Sequence, residues 1–97
     1  MYSYVILRRN AWQTPEELQA AAARSTEVGE EMPDEVRWIR SYVVREPSGS
    51  LATVCVYQAA SEDAAREHAQ RAGLRADEVL PVIDTVIIRP DPSLGTA

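Results

Sequence analysis

The fold is decided by residues 36–59, which read VRWIRSYVVREPSGSLATVCVYQA. The stretches from Val36 to Arg45 and from Leu51 to Ala59 are rich in branched and aromatic residues, a composition typical of β-strands. Between them lies EPSGS, where a glycine follows a proline at a spacing typical of turns. The stretch therefore predicts a β-hairpin of two antiparallel strands.

A helix is predicted before this hairpin, and its start carries several signals. Thr14 is the expected N-cap, Pro15 occupies the first helical position, and Glu17 completes a capping box. The helix is expected to end within residues 29–32, before a proline. A narrow apolar stripe recurs at helical spacing along it. Its members are Leu18, Ala21, Ala22, Ser25, Val28 and Met32.

A second helix is predicted after the hairpin, with Ser61 as its N-cap and Gly73 as a left-handed stop. One further short helical turn is expected over residues 76–80. The outer strands are expected over Tyr2 to Arg8 and over Pro81 to Arg89, since both stretches are rich in branched residues.

The complete order is strand, helix, strand, strand, helix, strand. This is the βαββαβ order of ferredoxin-like α+β domains, in which two helices cover one face of a four-stranded antiparallel sheet. The 97 residues have room for one such domain. We expect it to span residues 1–90, followed by a flexible tail over 91–97. Because this fold hosts many unrelated activities, function has to be argued from particular residues.

Alternation along the strands separates two sets of side chains. The first set is aliphatic, and we expect it to face the helices. It comprises Val5, Leu7, Ile39, Val43, Val54, Val56, Ile83 and Ile87. The second set is larger and more amphipathic, and we expect it on the open face. It comprises Tyr4, Ile6, Arg8, Trp38, Arg40, Tyr42, Cys55, Tyr57, Asp84, Val86 and Ile88. An open face with so many aromatic residues exceeds the apolar patch that monomers usually expose, so we predict a homodimer.

Charge and composition exclude several classes of partner. The formal net charge is -5, and the ten basic residues are arginines scattered along the chain, which argues against nucleic acid, including single-stranded RNA stacked on the sheet. No apolar stretch approaches the roughly 20 residues that span a bilayer, so no membrane partner is expected. Cys55 is the only cysteine, which excludes an intrachain disulfide and favours a cytoplasmic location.

His68, the only histidine, is the first candidate for a functional residue. It falls on the inward arc of the second helix, among Ala65, Ala69 and Ala72. One interpretation is a buried neutral imidazole hydrogen-bonded to an oxygen, and the other is a ligand-binding or acid-base group. Because alanine side chains are small, a pocket is expected beside His68 unless the helix sits close to the sheet.

Four further residues are candidates for a ligand site. Three of them either line a pocket or fill a dimer interface: Trp38, Tyr42 and Tyr57. The fourth, Asp84, lies in an apolar run, and we expect its carboxylate to be hydrogen-bonded or paired, with Arg8 and Arg40 as candidate partners. Cys55 is interpreted as a small core residue rather than a nucleophile.

Short patterns along most of the chain resemble a known family. They comprise Val36 to Ile39, Ser41 to Val43, Cys55 to Tyr57, Ala59, Glu67 to Ala69, Arg71 to Leu74 and Ala76 to Glu78. The sequence is similar in them to the small ferredoxin-like family described as nickel-binding proteins. The resemblance implies a ferredoxin-like fold, a homodimer and the binding of nickel or another divalent metal. His68 lies in the matching pattern and is the metal ligand that the resemblance implies.

Two classes of function are compatible with the sequence. The first is a dimeric binding protein for a metal ion or a small ligand. The second is a cofactor-free isomerase, cyclase or monooxygenase-like enzyme that acts in a cleft near His68.

Overall fold

The computed structural model describes residues 1–92. Its elements are β1 (Tyr2–Trp12), α1 (Pro15–Glu31), β2 (Val36–Arg45), β3 (Leu51–Ala59), α2 (Glu62–Ala72) and β4 (Glu78–Pro81). The strands form one antiparallel sheet in the order β2-β3-β1-β4, and both helices pack on the same face. The predicted ferredoxin-like βαββαβ fold is confirmed.

The helix ends form where their capping residues predict them. The side chain of Thr14 accepts a hydrogen bond from the Glu17 amide at 3.2 Å, and that of Ser61 accepts one from the Ala64 amide at 3.1 Å. Gly73 ends α2 with a φ of 69°, a left-handed conformation that glycine adopts without steric cost. These local signals fix where each helix starts and where α2 ends.

The outer strands differ from the prediction. β1 continues to Trp12 instead of ending at Arg8, through an irregularity at Asn10, whose φ is 46°. β4 covers Glu78–Pro81 rather than Pro81 to Arg89, so the predicted helical turn over 76–80 is also wrong. The physical reason is register: Pro81 already lies opposite Tyr4, so β1 has almost no residues left to pair with a longer β4.

In β1, in β3 and at Trp38 the two faces of the sheet are the reverse of the prediction, whereas Arg40 and Tyr42 lie on the open side as predicted. The buried residues that face the helices include Tyr4, Ile6, Arg8, Cys55 and Tyr57. Their aliphatic neighbours on the same strands are only half-buried and lie on the open side: Val5, Leu7, Val54 and Val56. The helices explain the reversal, because α2 contributes mainly alanine side chains to the interior. The sheet must therefore supply the large side chains that fill the core.

A bulge in β2 separates residues that simple alternation places together. Trp38 lies opposite Tyr57 on the helix-covered side, but the register shifts between Trp38 and Arg40. Beyond the shift, Tyr42 lies opposite Val54 on the open side. Alternation cannot reveal such a shift, because one extra residue inverts every later side chain.

Residues 82–91, which we call the C-terminal arm, leave the sheet at β4 and reach β2 at the opposite edge. There the Tyr42 hydroxyl donates to the Asp91 carboxylate at 2.9 Å, and Arg40 lies 3.7 Å from the same carboxylate. Four apolar side chains of the arm are 71 to 96 % exposed: Ile83, Val86, Ile87 and Ile88. The tail predicted over 91–97 lies outside the described residues from position 93 onward. Among residues 1–92, no helix is long and apolar enough to cross a membrane.

Candidate functional site

A cavity of about 280 Å³ lies between α1 and the sheet, and we call it the α1 cavity. Its wall includes three residues of α1 and three of the sheet: Leu18, Ala22, Ser25, Arg8, Trp38 and Tyr57. The cavity forms because α1 presents small side chains at Ala22 and Ser25, which do not fill the space above β2 and β3. It opens beside the edge strand β2, where the lining residues Trp38 and Val43 are exposed.

Arg8 is the unusual member of this wall. Its side chain comes from the centre of the sheet and the residue is only 1 % exposed. Nη1 donates a hydrogen bond to the carbonyl of Arg75, and the guanidinium carbon lies 5.8 Å from the centre of the Tyr57 ring. Nη2 is buried and has no hydrogen-bond partner among the described residues. Arg8 is therefore a buried cation at the cavity wall with one unpartnered donor, which the surrounding side chains cover.

The polar side chains beside Arg8 are already engaged with one another. The hydroxyl groups of Ser25 and Tyr57 share a hydrogen bond of 3.0 Å. The indole nitrogen of Trp38 donates to the Ser41 hydroxyl at 2.8 Å. Burial raises the pKa of the Tyr57 phenol, which keeps it protonated and able to donate. Among the described residues of this wall, Arg8 is thus a buried group whose hydrogen bonding is incomplete.

His68 lies on the other side of Tyr57, with ring centres 5.4 Å apart. Its Nε2 lies 3.0 Å from the carbonyl oxygen of Ser25 and must donate to it, so Nδ1 carries no proton in the neutral ring. Nδ1 is buried without a hydrogen-bond partner among the described residues. Burial lowers the pKa of His68, with Arg8 and Arg71 contributing in the same direction. The imidazole is therefore neutral at pH 7.

Of the two alternatives for the surroundings of His68, the structure shows the one in which α2 packs closely. Ala65, Ala69 and Ala72 are each 2 % exposed or less, so α2 sits close to its neighbours. His68 does contribute to a broader depression of about 570 Å³ between the end of α1 and β2, but its side chain is 1 % exposed. The small side chains that leave a cavity belong to α1 instead.

Of the five predicted site residues, the structure brings three together. Trp38 and Tyr57 have nearly parallel rings whose centres are 6.1 Å apart, and His68 follows on the other side of Tyr57. Tyr42 lies on the open side, where it contacts the C-terminal arm. Asp84 is exposed in that arm and accepts a hydrogen bond from the Thr85 amide at 2.8 Å.

The predicted pairing of Asp84 with Arg8 or Arg40 is wrong. Asp84 follows β4 and has left the sheet, so it does not lie in a buried strand. Arg40 pairs with Asp91 instead, and Arg8 has no ion pair among residues 1–92.

Sequence reasoning missed Arg8 and Ser25 as site residues. Arg8 shares its strand face with Tyr4 and Ile6, so burial of those two residues would have identified it. Ser25 lies in the apolar stripe of α1, and a hydroxyl in such a stripe needs a buried partner, which is Tyr57.

The donor set does not fit a nickel site within one chain. No group of three or more histidine, cysteine, aspartate or glutamate side chains converges within the part of the chain that the structure describes. Cys55 is buried and its thiol is 3.2 Å from the Thr53 hydroxyl, whereas Nε2 of His68 is used by Ser25. A nickel site of ordinary stability needs several nitrogen, sulfur or oxygen ligands at once.

The fold and cavity define a small α+β domain with an open cavity between helix and sheet. The model of the family described as "Nickel responsive protein SCO4226-like" matches residues 4–82, and the chain belongs to this family. Its fold is similar to that of SCO4226 from Streptomyces coelicolor A3(2), with a TM-score of 0.70 and 20 % identity. That match covers 87 % of this chain and 99 % of SCO4226. No curated protein sequence matches the chain.

Proposed function

We propose that this protein is a small dimeric binding protein for an organic ligand, which occupies the α1 cavity. The observation that carries the proposal is the cavity itself, which combines aromatic walls with one buried cation whose Nη2 is free. Ligand sites are typically concave, mostly apolar and equipped with a few polar groups that orient the ligand.

The family description names nickel, and an organic ligand is favoured here over the metal for a structural reason. His68, the metal ligand implied by the family resemblance, is 1 % exposed and uses Nε2 to bind the Ser25 carbonyl. A second copy of the chain cannot reach such a buried ring to complete a metal site. We therefore expect only weak nickel binding.

The cofactor-free enzyme interpretation has less support than binding. Acid-base catalysis requires a group within reach of the substrate that exchanges protons near neutral pH. Burial moves the pKa of His68 downward and that of Tyr57 upward, away from neutrality in both cases. Both side chains also hydrogen-bond Ser25, which favours a structural role for the pair.

The dimer is proposed from the open side of the sheet. Half-buried aliphatic residues of β1 and β3 lie there, and the exposed apolar side chains of the C-terminal arm extend the same surface. A second copy of the chain is the simplest partner for such a surface. The proposal also includes a cytoplasmic location, with which the single free Cys55 is compatible. A particle of 10.8 kDa in light scattering at micromolar concentration would contradict the dimer.

The ligand proposal is tested by filling the α1 cavity from the helix. A thermal-shift screen of small organic molecules and nickel would be run on the wild type, on Ala22→Leu and on Ala23→Leu. Ala22 lines the cavity and Ala23 is exposed on the same helix, so the two variants make the same chemical change in different places. We expect ligands that stabilise the wild type and Ala23→Leu but not Ala22→Leu. Sub-micromolar nickel binding that is abolished by His68→Ala would contradict the proposal.

A further inference from the structure

The arginines of this acidic protein differ in whether a carboxylate pairs with them. Five of them form ion pairs at 2.6 to 3.7 Å with carboxylates of the same chain: Arg9, Arg40, Arg66, Arg71 and Arg75. Arg8 is the most deeply buried arginine and has no carboxylate partner among residues 1–92. The chain has 15 acidic residues against ten basic ones, so carboxylates are abundant, yet none within residues 1–92 forms an ion pair with Arg8.

The surroundings of Arg8 make its charge costly. Among the described residues that line the α1 cavity, Arg8 is the one with a formal charge, and the others are apolar or neutral. A buried charge without a counter-charge destabilises a protein, and the penalty falls when an anion pairs with it. Nη2 has no hydrogen-bond partner among residues 1–92, so it is the donor that such an anion would use once the side chains covering it move aside.

The chemistry of the wall selects the kind of anion. One guanidinium balances one negative charge, which suits the monoanionic carboxylate of an organic acid. A phosphate monoester carries about 1.5 to 2 negative charges at pH 7, so part of its charge would remain unpaired in an apolar cavity. Carboxylates also accept hydrogen bonds from guanidinium groups in a planar geometry that these groups favour.

The other residues of the cavity wall favour a ligand whose uncharged part is apolar. Trp12, Trp38, Leu18 and Val43 offer aromatic and aliphatic surface, which suits an apolar ring. The volume of about 280 Å³ is just below the range for small-molecule sites, about 300 to 1,000 Å³. The cavity therefore suits a compact molecule with few polar groups besides its anionic end.

From these observations we infer that the ligand of the α1 cavity is a small organic carboxylate with a ring-sized apolar body, bound through its carboxylate by Arg8. The inference rests on the proposed ligand-binding function and specifies the class of ligand. On binding, a shift of the side chains that cover Nη2 of Arg8 lets it donate to the carboxylate, while the ring lies against Trp38.

Benzoate and its neutral amide benzamide have nearly the same shape and make a matched pair of probes. Their binding would be measured by NMR titration of the wild type, Arg8→Met, Arg8→Lys and Arg9→Met. A hydrogen bond to a charged group contributes about 1.5 to 3 kcal/mol, which corresponds to about a tenfold or larger change in affinity. We expect benzoate to bind at least about tenfold more tightly than benzamide, and Arg8→Met to remove this preference.

The other two variants keep the test decisive if Arg8→Met alters folding. Arg8→Lys retains the positive charge and is expected to keep part of the preference for benzoate. Arg9→Met removes one positive charge from the next residue, whose side chain is exposed, and is expected to leave the preference unchanged.

Two contrary results have different meanings. Equal binding of benzoate and benzamide, unaffected by Arg8→Met, would overturn the carboxylate inference and leave the proposed ligand-binding function intact. If neither benzoate, phenylacetate nor cyclohexanecarboxylate perturbs resonances of the cavity, the inference is also wrong. The screen with Ala22→Leu then decides separately whether the cavity binds any other ligand.

Discussion

Arg8 and Arg9 are neighbours in β1, yet they belong to two different regions of the molecule. Arg8 is buried on the helix-covered side of the sheet and has no carboxylate partner among residues 1–92. Arg9 has an exposed side chain that contacts the Glu46 carboxylate at 2.6 Å, and this bond lowers the pKa of Glu46. Arg9 therefore has a counter-ion although its side chain is exposed to water, which already screens its charge. Arg8 is buried and has no counter-ion among residues 1–92. Stability alone would favour the opposite arrangement.

The largest expected effect contrasts the buried core with the exposed arm. Ile6 is fully buried, so Ile6→Ala should lower the free energy of unfolding by about 2 to 5 kcal/mol through lost burial and a new cavity. Ile83 is 96 % exposed in the single chain, so Ile83→Ala should change the free energy of unfolding of the monomer by about 0.5 kcal/mol or less. Urea denaturation at a protein concentration low enough to keep the chain monomeric measures both. Equal losses would show that the arm is part of the folded core.

The second prediction is that replacing Arg8 and replacing Arg9 change the free energy of unfolding in opposite directions. Arg8→Met replaces an unpaired buried cation by an apolar side chain, so it should raise the free energy of unfolding by about 1 kcal/mol in the absence of ligand. Arg9→Met leaves the buried carboxylate of Glu46 without its cation and should lower the free energy of unfolding. Guanidinium chloride denaturation of both variants and the wild type provides the comparison. A marked destabilisation by Arg8→Met would show that this guanidinium serves the architecture.

The smallest expected effect is a dependence on pH that comes from His68. Because burial lowers its pKa, the folded protein binds this proton less readily than the unfolded chain does. His68 therefore does not reduce the free energy of unfolding above pH about 6.5. Below that value the unfolded chain takes up the proton first, so the free energy of unfolding falls as the pH falls. The charged and titratable groups facing the ring are Arg8 from β1, Tyr57 from β3 and Arg71 from α2.

His68→Gln should flatten the stability profile between pH 7 and about 5.5 when unfolding is measured at several pH values. Glu46 and Asp77, whose pKa values are lowered by Arg9 and Arg75, lose their contributions only at more acidic pH and serve as an internal reference. An unchanged slope in the variant would mean that His68 titrates alike in the folded and unfolded states.

Local signals in the sequence were sufficient for most of the fold. The bounds of β2 and β3, the caps at Thr14 and Ser61, and the stop at Gly73 are set by residues within a few positions of each feature. The end of β4 could not be found in this way, because it depends on how much of β1 remains available for pairing.

The site was less accessible to sequence reasoning because it depends on volumes and register. Which face of the sheet is buried follows from the small side chains that α1 and α2 bring to it, and aliphatic character alone suggested the wrong face. The bulge after Trp38 then separated it from Tyr42. The burial of Arg8 depends on which face of the sheet the helices cover. The α1 cavity depends on the same face, so neither could be predicted from the sequence.

A crystal structure of the protein soaked with benzoate tests the central claim most directly. We predict that the ring lies in the α1 cavity, with a carboxylate oxygen about 2.7 to 2.9 Å from Nη2 of Arg8. The account is contradicted if Nη2 is instead paired with an aspartate or glutamate of the protein or of a second copy. In that case Arg8 would be a structural ion pair, with no free donor for a ligand.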